Sequence, residues 1–196
     1  RGVATFARGS STYAIVASWN DHGVQIIDVS DPANPLPSGN ATDGVNGFTT
    51  LEAAWGVATF ARGSSTYAIV TSYSDHGVQL INVSDPANPL PTGNATDGAN
   101  GFTMLRHPRG VATFARGSST YAIVASSSWN DNGVQIIDVS DPANPLATGN
   151  ASDGVNGFTT LRGAISVATF SLGSSTYAIV ASYYDHGVQI IDVSDP

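Results

Sequence analysis

Apolar residues along this chain fall in short runs rich in β-branched and aromatic types, each cut off by Gly, Pro, Asn or Asp. Gly2 to Ala7, Thr12 to Ala17 and Val24 to Val29 read as three successive strands. Arg8-Gly9-Ser10-Ser11 ends the first strand. Asn20-Asp21-His22-Gly23 turns the chain into the third, with Gly supplying the positive φ of a tight hairpin. The third strand is apolar on both faces, Val24 and Ile26 on one side and Ile27 and Val29 on the other. A strand of that kind belongs to a sheet sandwiched between neighbours. Asp31-Pro32-Ala33-Asn34-Pro35 stops it, because Pro cannot donate to a ladder. A weaker fourth strand is expected within Leu36 to Ala41. Asp43-Gly44 and Asn46-Gly47 then turn the chain before Phe48 to Leu51 leads onward. The apolar spacing never settles at three and four, so helix is not an organising element.

The whole pattern repeats. Val3-Ala4-Thr5-Phe6 returns at Val57, Val111 and Val167, spacings of 54, 54 and 56. Tyr13-Ala14-Ile15-Val16 returns at Tyr67, Tyr121 and Tyr177, and the two extra residues of the third unit fall in Ser126-Ser127-Ser128. The chain reads as a single repeat domain, 1–196, of about four units: 2–55, 56–109, 110–165 and a partial 166–196. Coils of a β-helix are shorter, and a plain sandwich needs no period of this length. The expected fold is therefore all-β, a β-propeller-type tandem repeat with its last blade incomplete. An open arc of blades leaves two apolar faces bare. The expectation is thus a piece of a longer array, or copies that assemble to cover those faces.

Gly23-Val24-Gln25-Ile26-Ile27-Asp28-Val29-Ser30-Asp31-Pro32-Ala33-Asn34-Pro35 resembles the LVIVD repeat of bacterial and archaeal surface and secreted proteins. Equivalent stretches run from Gly77 to Pro89, Gly133 to Pro145 and Gly187 to Pro196, with Asn82 in place of Asp28. The resemblance implies a β-propeller and an extracellular, cell-surface location, and it implies no reaction.

Composition narrows the function. Only 11% of residues are charged, the net charge is −8, and every basic residue is Arg. There is no basic stripe to displace counterions from nucleic acid, and an anionic membrane repels such a chain. No run is long enough for a membrane-spanning helix. With no Cys, disulfides and thiolate sites are excluded. No nucleophile elbow, phosphate loop or zinc-helix motif occurs, and near-identical units place the same groups around a ring rather than differently tuned groups at one point. No residue is assigned a catalytic role, and the chain is expected not to be an enzyme.

Candidate binding residues collect in the turn between the second and third strands. They are Trp19, Asp21 and His22; Tyr73, Asp75 and His76; Trp129, Asp131 and Asn132; Tyr183, Asp185 and His186. An aromatic face beside Asp, Asn and His suits a sugar, the ring stacking on C–H groups while polar atoms take hydroxyls. The alternative is that the rings cap the cores between blades. The turn carboxylates, with Asp43, Asp97 and Asp153, could hold calcium through oxygen ligands. Asp and Asn in such turns also accept backbone amides, and no metal site or cofactor is assigned. Asn40, Asn94 and Asn150 fit the glycosylation acceptor pattern, as does Asn82. Asp28, Asp138 and Asp192 are expected to hydrogen-bond the Ser-Asp-Pro turn that follows them. Arg8, Arg62 and Arg116, with Leu172 in the fourth unit, read as surface charges facing carboxylates. The functional expectation is a non-catalytic extracellular scaffold for adhesion, with a protein or glycan partner at the cell surface. A carbohydrate-binding module, or a self-associating subunit of a filament or surface layer, are the rivals.

Overall fold

The computed structural model describes residues 1–128 and 132–196, as fifteen strands with no helix among them. The first unit pairs β1 (Val3–Arg8), β2 (Ser11–Ser18), β3 (Gly23–Asp28) and β4 (Leu36–Thr42) as an antiparallel meander in that order. The same sheet recurs as β5 (Ala54–Arg62), β6 (Ser65–Ser72), β7 (Gly77–Asn82) and β8 (Leu90–Thr96). It recurs again as β9 (Pro108–Arg116), β10 (Ser119–Ser127), β11 (Asn132–Asp138) and β12 (Leu146–Ser152). The fourth sheet has three strands, β13 (Ala164–Leu172), β14 (Ser175–Ser182) and β15 (Gly187–Asp192). These are propeller blades. Opposed residues pack as pairs within them: Phe6 faces Tyr13 in register, with ring centroids 5.5 Å apart.

The first strand of each blade lies at the axis. Thr59 Oγ1 donates to Thr5 O at 3.1 Å, Thr113 Oγ1 to Thr59 O at 3.2 Å and Thr169 Oγ1 to Thr113 O at 3.1 Å. This hydroxyl ladder stitches β1, β5, β9 and β13 side by side. The approach is close enough to demand glycine: a Cβ on Gly56 would sit 2.2 Å from Arg109 O.

Three apolar cores lie between successive blades. Between the first two, Ile15, Val24 and Ile26 meet Val57, Val70 and Ile81, with Phe48 and Leu51 of the connection closing the end. Equivalent cores join the second blade to the third and the third to the fourth. Each fully buried Ile, Leu or Phe contributes about 1.5–3 kcal/mol, so these cores dominate stability. The two-faced strand is explained by them: Val78 and Leu80 serve one core, Ile81 and Val83 another. The forward face of the fourth blade has no such cover. Val188 and Ile190 are 58% and 53% exposed, where Val24 and Ile26 are 4% and 0%.

Polar residues inside the pattern couple the blades too. Gln79, buried on the back face of β7, accepts from Thr49 N at 3.3 Å and donates to Gly93 O at 2.8 Å. It latches the preceding connection to its own blade's outer strand. The recurrent Arg residues correct the reading of surface charges facing carboxylates. Arg8 donates from Nε to Ser84 O at 2.9 Å and from a terminal nitrogen to Ser64 O at 3.0 Å, both in the next blade. Arg62 does the same to Ser140 O at 2.8 Å and Ser118 O at 2.7 Å, and Arg116 reaches Ser174 O at 3.2 Å. Turn carbonyls, more than carboxylates, take these guanidinium groups, although the positive charge of Arg116 helps to lower the pKa of Asp192.

Candidate ligand site at the axial mouth

The turns after β2, β6 and β14 sit at the same end of the molecule as the connections into the next blade, and hydrogen bonds tie the two together. His22 Nδ1 accepts from Ala53 N at 3.0 Å, and His76 Nδ1 stands 3.4 Å from His107 N. In the third blade Asn132 Oδ1 accepts from Gly163 N at 2.9 Å. His22 and Asn132 each satisfy one connection amide, which explains why Asn can stand where the first unit has His, while His76 Nδ1 lies nearer the Tyr73 carbonyl, at 3.0 Å. The carboxylates are similarly occupied. Asp75 Oδ2 accepts from Glu52 N at 2.8 Å and Ser72 Oγ at 2.6 Å, and Asp185 Oδ2 from Arg162 N at 2.8 Å. Asp21 Oδ2 takes Ser18 Oγ at 2.5 Å. Asp43, Asp97 and Asp153 each accept the amide of the Leu eight residues on, at 2.9, 3.1 and 3.1 Å. Among the described residues no three His, Asp or Glu side chains converge as a metal site. His186 is exposed, and Trp129 and Asp131 lie outside the described residues.

Of the aromatic candidates the structure brings Trp19 and Tyr73 together, with partners the turn sequence does not contain, whereas Tyr183 packs edge-on to Tyr184 at 5.1 Å. Trp19 packs against Tyr73 at 4.9 Å and edge-on to Trp55 at 5.2 Å. Tyr73 stacks on His107 at 4.4 Å. Arg1 lies 4.0 Å and Arg109 4.5 Å from the Trp55 ring centroid, a cation–π arrangement. Burial, with the positive charges of His76, Arg106 and Arg109, holds His107 below the ordinary imidazole pKa. The rings of Trp19, Trp55, Tyr73 and His107 form one cluster, and of them Trp55 lines the mouth of the groove along the axial strands.

Trp55, Arg109 and Ile165 reach that mouth because each sits on a β-bulge. Between Ala54↔Ser72 and Val57↔Val70 two residues, Trp55 and Gly56, oppose Thr71 alone. Arg109 and Gly110 oppose Ala125 in the same way, and Ile165 is the extra residue of β13. A bulge re-aims side chains, here inward to the axis. Thr71, where other units carry Ala, fixes this geometry: its Oγ1 accepts from Gly56 N at 2.8 Å and donates to Arg109 O at 2.7 Å. A groove of about 320 Å³ runs along the axial strands from Arg1 and Trp55 to Ile165. Adjoining it, a pocket of about 200 Å³ is lined by Arg109, Ser127, Gly163, Ile165, Tyr183 and Tyr184. Sequence reading missed Trp55, Arg109, Ser127 and Tyr184 as site residues. The available signal was the segment before each Gly-Val or Ser-Val step, where Glu52–Trp55, Arg106–Arg109 and Arg162–Ile165 share little while their surroundings are copies.

Asn40, Asn94 and Asn150 are exposed on the outer strands β4, β8 and β12, near the turns that follow them. Asp28 Oδ1 accepts from Ser30 N at 2.9 Å, and Asn82 Oδ1 accepts from Ser84 N at the same distance. These are structural bonds.

The LVIVD repeat family matches residues 10–43 and 118–153, so the chain carries LVIVD repeats. No curated protein matches it in sequence. Solved structures resemble it in fold. A functionally unknown protein from Desulfotomaculum acetoxidans aligns over 96% of this chain and 54% of its own, at 13% identity and a TM-score of 0.60. An exo-β-1,3-galactanase from Phanerochaete chrysosporium aligns over 93% of this chain and 44% of its own, at 13% identity and a TM-score of 0.63. An α-L-arabinofuranosidase from Clostridium thermocellum aligns over all of this chain and 68% of its own, at 12% identity and a TM-score of 0.60. This chain therefore spans about half the length of the first two, and at these identities the likeness is one of fold alone. No helix among the described residues is long and apolar enough to cross a membrane.

Proposed function

We propose that this chain, whose LVIVD repeats build propeller blades, is a non-catalytic extracellular scaffold that presents its axial mouth to a surface partner. One observation carries the reading: residues shared by the units hold blade to blade, while residues that differ between units gather at the mouth. Shared positions such as Thr59, Gln79 and Arg62 couple neighbouring blades. Trp55, Arg109, Ile165 and Tyr184 differ between units and line the groove or its adjoining pocket. Two measurements test it. Incubation with a panel of polysaccharides is expected to release no reducing ends, and turnover of any of them refutes the non-catalytic reading. Fractionation of the source cells is expected to place the protein at the surface or in the medium, and a cytoplasmic pool refutes the location. Exposed Asn40, Asn94 and Asn150 suit glycan attachment, which an intact mass above the sequence mass would report.

The second reading, a carbohydrate-binding module, is favoured by the two exposed rings of Tyr183 and Tyr184 beside Arg109 in one pocket. Such rings offer the apolar face on which a pyranose stacks. A glycan array is expected to give binding that Tyr184→Ala and Trp19→Ala weaken. Silence of the unmodified protein across the array removes this reading and leaves the scaffold.

A further inference from the structure

The pocket between the third and fourth blades is lined by several residues at which this chain departs from its own repeat. The position of Arg109 is Arg1 in the first unit, Trp55 in the second and Ile165 in the fourth, so only the third unit carries an Arg there on a bulge. Ser127 belongs to the two-residue insertion found only in the third unit. Tyr184 stands where the other units have Asn20, Ser74 and Asn130. Gly163 stands where the earlier connections have Ala53 and His107. The last two changes are coupled: a Cβ on Gly163 would lie 2.5 Å from Tyr184 Cδ2, so the glycine makes room for the ring. The repeat fold requires none of these departures, since the other blades stand without them, yet they converge on one site.

The pocket also contains unmet polar capacity. Arg109 Nε and Ser127 Oγ are both buried and lack a hydrogen-bond partner. Buried donors without partners are rare, because each costs the full desolvation of the group. Here both belong to residues that line the same 200 Å³ cavity. The Arg109 backbone is pinned by Thr71 Oγ1 at 2.7 Å, and its guanidinium packs 4.5 Å from the Trp55 ring centroid, which holds the charge in place. A second cation, Arg162, lies 5.8 Å from the Tyr184 ring centroid.

We infer that this pocket binds a carboxylate-bearing pyranose, with the carboxylate on Arg109, a sugar hydroxyl on Ser127 and the ring face against Tyr183 or Tyr184. The inference rests on the carbohydrate reading above and narrows it to acidic sugars. A planar guanidinium recognises a carboxylate through paired N–H donors, and such charge-assisted bonds are about twice as strong as neutral ones. A neutral sugar of the same shape offers the guanidinium only a hydroxyl acceptor, a weaker partner than a carboxylate, so the site discriminates by charge. The net charge of −8 gives the molecule as a whole no general attraction for anions, so any such preference must be local to this site.

The test is calorimetric titration of the whole chain with three probes: oligogalacturonic acid, the same oligomer with its carboxylates reduced to alcohols, and poly-glutamate. The expected result is that the acidic sugar binds at least about tenfold tighter than its reduced form, and poly-glutamate binds no better than the reduced form. Arg109→Gln should abolish that preference while the reduced oligomer keeps its affinity. Tyr184→Ala, at an exposed ring whose loss leaves the cores intact, should weaken both sugars. Equal binding of the acidic and reduced oligomers overturns the acidic preference and leaves a neutral-sugar module standing. Poly-glutamate binding as tightly as the acidic sugar overturns the sugar assignment in favour of a plain anion site. Binding of none of the three overturns both this inference and the carbohydrate reading.

Discussion

At the scale of single residues, the turns are governed by hydrogen-bond accounting rather than by chemistry on a ligand. His22 and Asn132 satisfy equivalent connection amides, at Ala53 and Gly163. His22→Asn should therefore be nearly neutral, whereas His22→Ala leaves Ala53 N unmet and should cost about 1 kcal/mol in urea unfolding. Equal losses for both variants would deny the acceptor role. The Asp-Pro turns set an acid limit. Asn34 and the Ala33 amide hydrogen-bond Asp31, and Asn88 and Ala87 do the same for Asp85, which lowers both carboxyls from the ordinary 3.8. A depressed carboxylate contributes stability that is present above 3.8 and lost as pH falls through the lowered folded value. The urea midpoint should therefore fall below about pH 4, and Asp85→Asn should flatten that part of the curve. A midpoint that drops with the same slope in the variant would place the acid sensitivity elsewhere.

At the scale of elements, each blade is held to the next by a repeated set of devices: the Thr ladder, the Gln latch and the Arg clamp. The clamp is the one most open to test, because the fourth unit lacks it. Arg62→Ala removes two charge-assisted bonds to Ser140 O and Ser118 O and should cost about 1–2 kcal/mol, the low end of such bonds because the site is exposed. Leu172→Ala at the equivalent position, 70% exposed, should change the unfolding midpoint little. A cost for Leu172→Ala as large as for Arg62→Ala would show that apolar contact at this turn matters more than the clamp. The bulges carry the other element-scale lesson. Trp55, Arg109 and Ile165 point to the axis because an extra residue opposes one on the neighbouring strand.

At the scale of the whole molecule, the three inter-blade cores leave the back of the first blade only half-buried at Ala14, Val16, Ile27 and Val29, and the forward face of the fourth uncovered. Phe170, Val188 and Ile190 are 39%, 58% and 53% exposed, while their counterparts Phe6, Val24 and Ile26 are 8%, 4% and 0%. A contiguous apolar face of this kind drives association. The 196-residue chain should self-associate with rising concentration in light scattering, and Ile190→Glu should shift it towards monomer. Concentration-independent monomers of the unmodified chain would contradict this.

The repeat, the strand positions and the two-faced third strand were all legible in the sequence. They rest on local rules: β-branched runs, Gly and Pro punctuation, and an alternation of side chains that cannot be satisfied by one covered face. Val24 to Val29 alone is enough to require neighbours on both sides. The LVIVD match at residues 10–43 and 118–153 follows from the same segments. Only the tertiary structure decided what the polar residues do. Arg8, Arg62 and Arg116 proved to be clamps because their partners are carbonyls in another blade, 56 to 78 residues away. The pocket of Arg109, Ser127, Gly163 and Tyr184 was equally illegible, since its members lie in two blades and the connection between them, on either side of a bulge. Strand propensity is a property of neighbours in sequence, whereas a binding site is a property of neighbours in space, and here one extra residue per strand sets which side chains meet.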